Sequence, residues 1–109
     1  MLHYKIYNHS EKAEWVTFIH GAGGSSNVWF KQIKAFKLNY NVLLIDLRGH
    51  GLSKKIGANN KKYSFAYLSQ DVIDVLEFLK IKESHFIGIS LGTIIIRKIE
   101  ELRPDVVSS

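Results

Sequence analysis

The chain of 109 residues contains no cysteine. Disulfides, thiolate metal sites and a cysteine nucleophile are therefore excluded, and cysteine usage says nothing about redox compartment. Long apolar runs are also missing. The longest, such as Val42-Leu43-Leu44-Ile45, are strand-sized and far short of a membrane span. Residues 1–10 carry His, Tyr, Lys and Asn where a secretory signal needs an apolar core. The expectation is a soluble cytoplasmic protein with no membrane association. Charge of one sign is scarce: 15 Lys and Arg face 10 Asp and Glu, a formal net charge of +5. That excess is spread out and gives no footing for nucleic-acid binding. There is no internal repeat, low-complexity segment or linker, so residues 1–109 form one domain at most. What remains is ordinary for a globular fold, with 46% hydrophobic and 23% charged residues.

Leu2, Tyr4 and Ile6 alternate with polar neighbours and predict a half-exposed opening strand. Trp15 to Ile19 is β-branched and aromatic and predicts a buried strand. It runs into His20-Gly21-Ala22-Gly23-Gly24-Ser25-Ser26, too glycine-rich for an element interior. Asn27 to Lys37 has Val28, Trp29, Ile33 and Phe36 on one stripe and predicts a helix, with Ser26 or Asn27 as its N-cap. Val42 to Leu47 predicts a second buried strand, ended by Arg48-Gly49-His50-Gly51-Leu52-Ser53. Lys54 to Lys62 is polar and predicts an exposed loop. Phe65 to Leu79 shows the clearest helical periodicity, with Ser64 as its cap. Phe86 to Ile89 predicts a third buried strand. A helix from about Leu91 to Leu102 follows and is stopped by Pro104. Val106 and Val107 read as the first residues of a further strand. Buried strands alternating with amphipathic helices imply βαβ units and a parallel sheet with both faces covered.

Three glycine-bearing motifs follow the three buried strands. Gly88-Ile89-Ser90-Leu91-Gly92 is G-x-S-x-G between an apolar strand and a helix. In that setting the serine sits on a turn tight enough to project its Oγ from the sheet edge, which predicts a strained backbone with positive φ. Glycines two before and two after let strand and helix approach closely. The first helical turn offers unpaired N–H groups, so the Leu91 N–H faces the oxyanion formed when Ser90 attacks a carbonyl. The bland reading is a helix-capping serine between turn glycines. The second motif, His20 to Gly24, lies at a carboxyl strand end, on the edge where Ser90 is expected. Its loop aims a second N–H, that of Ala22, at the same oxyanion. His20 reads as a structural histidine that holds the loop and not as a general base. In the third motif, Asp46 to Ser53, Asp46 and Arg48 brace the loop, and His50 is exposed or structural. His85 reads as structural, and Asp71 and Asp74 as exposed or salt-bridged.

The order of these motifs resembles the α/β-hydrolase family over essentially the whole chain. The resemblance implies a three-layer α/β/α doubly wound, mostly parallel sheet, with the strand at 15–19 between those at 42–47 and 86–89. It implies Ser90 as the nucleophile that forms an acyl intermediate, with the N–H groups of Ala22 and Leu91 as oxyanion hole. His20, Gly21, Gly23, Gly88 and Gly92 support it. It implies a small-molecule ester or similar carbonyl substrate, no cofactor and no metal. Relatives with this elbow also perform acyl transfer, lyase reactions and C–C hydrolysis. In this family the acid and the histidine follow the serine. Here Glu100, Glu101 and Asp105 come too early to serve as the acid, and all five histidines precede Ser90. The chain therefore reads as the N-terminal part of a single hydrolase domain, inactive alone. The sheet edge at Phe86 and Ile89 is then expected to be uncovered and prone to self-association.

A rival reading is dinucleotide binding. Gly21 to Ser26 is nearly G-x-G-x-x-G, and Asp46 sits where a ribose-binding acid belongs. Ser26 in place of the third glycine argues against it. The two later motifs would also go unexplained.

Overall fold

A computed structural model of the protein describes residues 1–53 and 64–109. The polar stretch expected as a loop at 54–62 lies outside the described residues. Four strands form one sheet: β1 (Tyr4–Tyr7), β2 (Trp15–Ile19), β3 (Asn41–Ile45) and β4 (His85–Gly88). Their spatial order is β1-β3-β2-β4. The β2–β3 and β2–β4 pairs are parallel, and β1 runs antiparallel to β3. The strand at 15–19 thus lies between its two parallel neighbours, as expected. Parallel neighbours require crossover helices. These are α1 (Phe30–Phe36), between β2 and β3, and α2 (Phe65–Phe78), between β3 and β4. The last helix, α3 (Leu91–Leu102), follows β4.

The period-2 alternation of strands divides the core between two faces. Ile19, Leu43, Ile45 and Leu47 pack with Val72, Leu76, Ile95 and Ile99 of α2 and α3. Val16, Phe18, Val42 and Leu44 pack on the opposite face with Trp29, Ile33 and Phe36. The result is a three-layer α/β/α arrangement. Ile95 and Ile99 are fully buried, each contributing roughly 1.5–3 kcal/mol of apolar transfer.

Several boundaries differ from the sequence reading. The expected helix at 27–37 opens as a 3-10 turn, Ser26–Trp29, and becomes α-helical only at Phe30. Its cap is Ser25, whose Oγ accepts from the Asn27 N–H at 3.3 Å, and not Ser26 or Asn27. The Ser26 N–H has another partner, described below. Ser64 caps α2 as expected, accepting from the Tyr67 N–H at 3.2 Å. At the far end of α2, Lys80 adopts φ +59°. The Ile81 N–H reaches Leu76 O and the Lys80 N–H reaches Glu77 O, the paired bonds of a Schellman cap.

The C-terminal segment corrects two expectations. Pro104 starts a 3-10 turn, Pro104–Val106, so strand-like pairing begins only at Val107, which forms a parallel bridge with Ser84. The Ser84 N–H donates to Val106 O, the Ser108 N–H to Ser84 O and the Phe86 N–H to Ser109 O. The outer edge of β4 is therefore covered along its first half. Phe86 beside that covered half is buried, as expected of the strand, whereas Ile89 is 54% exposed.

Candidate active site

The turn from β4 into α3 carries Ser90 at φ +53°, ψ −116°. This region is nearly closed to side-chain-bearing residues and costs about 1–3 kcal/mol. Ser90 is exposed, and its side chain makes no capping hydrogen bond to α3. The capping-serine reading therefore fails. The first turn is closed by backbone alone, with the Gly92 N–H donating to Ile89 O and the Thr93 N–H to Ser90 O. The flanking glycines are forced by contact. A Cβ at Gly88 would stand 2.7 Å from Ile96 Cδ1 and 2.8 Å from the Gly92 carbonyl carbon. A Cβ at Gly92 would collide with the carbonyl oxygen of Ile19 at the end of β2. Strand, elbow and helix thus pack too tightly for any side chain at either position.

The loop after β2 lies beside this turn. A Cβ at Gly21 would sit 3.4 Å from Ser90 Cβ and 3.3 Å from Ile89 O. Loop and serine share one edge of the sheet. Among the described residues, the N–H groups of Ala22 and Leu91 have no hydrogen-bond partner. Gly23 has φ +78° and lies in open space. His20 is fully buried and spans two loops: its Nδ1 lies 2.7 Å from Gly21 O, and its Nε2 accepts the Leu47 N–H at 3.0 Å. Because the carbonyl only accepts and the amide only donates, the ring is neutral with its proton on Nδ1. Burial is the largest influence on His20 and lowers its pKa, the bond to Gly21 pulls the other way, and the net value lies below the ordinary one. With both nitrogens engaged, His20 has no lone pair to offer Ser90.

The loop after β3 is built on Asp46, which is buried at 2% exposure. Its Oδ1 accepts the Ser26 N–H at 2.8 Å and its Oδ2 accepts the Leu52 N–H at 3.0 Å. Its own carbonyl accepts from Ser53 Oγ, which in turn accepts the His3 N–H. Gly51, at φ +49°, lies so close that a Cβ would stand 2.6 Å from Asp46 Cγ. Arg48 pairs bidentately with Asp71 of α2 at 2.8 and 2.9 Å, tying this loop to the helix. Asp46 and Arg48 therefore brace loops. A buried Asp46 with both oxygens taken has nothing to give a ribose, and the dinucleotide reading fails on that point.

No described side chain hydrogen-bonds Ser90 Oγ. His50 Nδ1 donates to Arg48 O at 2.9 Å. His85, at the other end of β4, meets Ser109 Oγ at 2.7 Å and Glu14 at 3.4 Å. Among the described residues there is no group of three or more metal-ligating side chains, and no helix is long and apolar enough to cross a membrane. The sequence reading missed the partnership of Ser26 with Asp46 and of Arg48 with Asp71; both join residues more than 19 positions apart.

A family model for the alpha/beta hydrolase fold matches residues 14–109. The chain belongs to the α/β-hydrolase family. It is 36% identical over 85 residues to 3-oxoadipate enol-lactonase 1 of Acinetobacter baylyi, covering 78% of this chain and 30% of that protein. Among solved structures, a hydrolase from Pseudomonas aeruginosa aligns with a TM-score of 0.88 at 27% identity, covering 97% of this chain and 38% of that one. The enol-lactonase from Burkholderia xenovorans aligns with a TM-score of 0.87 at 28% identity, over 97% and 40% of the two chains. The α/β-hydrolase chain described here thus spans well under half the length of these relatives.

Proposed function

We propose that this chain carries the nucleophile and the oxyanion donors of a serine hydrolase that cleaves an ester or similar carbonyl compound. Ser90 Oγ attacks the carbonyl carbon. The electron pair of the C=O bond moves to oxygen, and the Leu91 and Ala22 N–H groups receive that oxyanion. Collapse expels the alcohol or enol and leaves an acyl-Ser90 ester, which water then hydrolyses. The observation that carries this reading is Ser90 itself. It is exposed, held at φ +53°, and free of any capping bond. Nothing in helix formation asks for a serine in that state; a nucleophile does.

The enol-lactonases among the relatives support a cyclic ester as one member of the substrate class. No described residue serves Ser90 as base, so the acid and the histidine belong to residues that follow this stretch in a longer hydrolase domain. Residues 1–109 alone are then a poor hydrolase, because an unactivated serine is a weak nucleophile at neutral pH. The reading also keeps the reaction in the cytoplasm, with neither metal nor cofactor.

The test is labelling by a fluorophosphonate in a hydrolase domain carrying this sequence. Ser90→Ala is expected to abolish labelling and lower ester turnover by at least about 1,000-fold, with the fold retained by circular dichroism. Labelling of another serine, or turnover that survives Ser90→Ala, would overturn the assignment.

A further inference from the structure

The third loop contains a residue whose place the reading above does not use. His50 is half-buried between two glycines of positive φ, Gly49 at +77° and Gly51 at +49°. Its Nδ1–H is fixed on Arg48 O. Its ring lies on that of His20, with centroids 5.1 Å apart and planes tilted by 51°. His20 is completely buried, and its two nitrogens tie Leu47 N–H to Gly21 O. Gly21 opens the loop beside Ser90. A contiguous chain therefore runs from the Arg48 carbonyl through two imidazole rings to that loop.

We propose that His50 is a positioning residue: its ring covers His20, keeps the His20 clasp dry, and so holds the Gly21–Gly24 loop in register with Ser90. The proposal rests on the reading of that loop as an oxyanion donor. The physics is that of a hydrogen bond in a shielded place. The bond from Leu47 N–H needs an unprotonated Nε2 on His20, and protonation would turn that acceptor into a donor facing a donor. Two titratable groups influence His20: His50, packed on its ring, and Asp46, at the end of β3. Asp46 favours the imidazolium, whereas burial and His50 disfavour it. Opening the His50 side to water removes two restraints and leaves the two influences that promote protonation, the bond to Gly21 O and the charge of Asp46.

The experiment uses a hydrolase domain carrying this sequence, with His50→Ala and His50→Phe variants. The first removes the cover; the second keeps a ring without a charge. In the parent, nitrogen-15 spectra of the histidines are expected to show His20 protonated at Nδ1 and resistant to acid. In His50→Ala, His20 is expected to titrate at higher pH, with faster exchange of the Leu47 amide. His50→Phe is expected to stay near the parent in both. Unchanged His20 titration and Leu47 exchange in His50→Ala would overturn the proposal. So would a His50→Phe variant as disturbed as His50→Ala. The second readout is the rate of fluorophosphonate labelling at Ser90. A loosened donor is expected to slow it about tenfold in His50→Ala, less than the roughly 100–1,000-fold of removing a donor, with His50→Phe near the parent. If His20 and Leu47 respond and labelling does not, the clasp stands and the oxyanion role of the loop fails.

Discussion

Among single residues, Asp46 joins the most. Its carboxylate binds the loop after β2 through Ser26 and its own loop through Leu52. Burial pushes its pKa up, but the hydrogen bonds from these two residues outweigh burial and leave it below the ordinary 3.8. A group with a depressed folded pKa stabilises the fold above its unfolded pKa and loses that contribution as pH falls through the folded one. Asp46→Asn keeps the size but offers one acceptor where two donors converge. It is expected to cost about 1–3 kcal/mol near neutral pH in urea unfolding and to flatten the acid limb of stability. Equal stability of the two proteins at pH 7 would contradict this account. Residues whose role is local were legible from sequence: the glycines around Ser90 announce themselves because a steric demand two residues away fixes their spacing. Asn41 was not. Its side chain accepts the His9 and Ser10 N–H groups and donates to Ser10 O and Ala13 O, filling all four of its hydrogen-bond positions. Those partners lie 28 to 32 positions away, and no local pattern points to them.

Among elements, the ends carried more error than the interiors. Periodicity defined α2 well because its stripe of Leu68, Val72, Val75 and Leu76 is buried along its length. The start of α1 was misplaced because the Ser26 N–H is drawn to Asp46 and the segment opens as a 3-10 turn capped by Ser25, so that α1 begins only at Phe30 and has no side-chain cap. That competition is tertiary and invisible in a local window. The end of α2 holds a testable mismatch. The αL position of its Schellman cap is filled by Lys80 rather than glycine. The αL conformation costs a side-chain-bearing residue roughly 1–2 kcal/mol, and glycine gives back about 0.5–1 kcal/mol in chain entropy. Lys80→Gly is thus expected to stabilise the protein by about 0.5–1 kcal/mol, read as a higher denaturant midpoint at unchanged slope. A lower midpoint would mean that the Lys80 side chain contributes something its backbone conformation hides.

For the whole molecule, the covered edge of β4 matters most. Val106 is buried in the larger core cluster, and residues 106–109 pair with Ser84 and Phe86. Deleting Val106–Ser109 uncovers those backbone groups beside Phe86, and exposed strand edges recruit other chains. The shortened chain is expected to sediment as dimers or larger species under conditions where residues 1–109 do so less. Identical sedimentation would show that the segment does not guard the edge. The parallel sheet itself was readable because strand and helix periods alternate; the turn at Pro104–Val106 was not, because Val106 and the Val107 that follows it look like strand. Finally, the backbone of Ser90 bears on how this chain was selected. At φ +53° the residue best suited to the position is glycine. Ser90→Gly is expected to raise the unfolding midpoint while removing the hydroxyl altogether. Selection for durability alone would thus drift toward glycine here, and a serine at this position records a pressure that acts against durability.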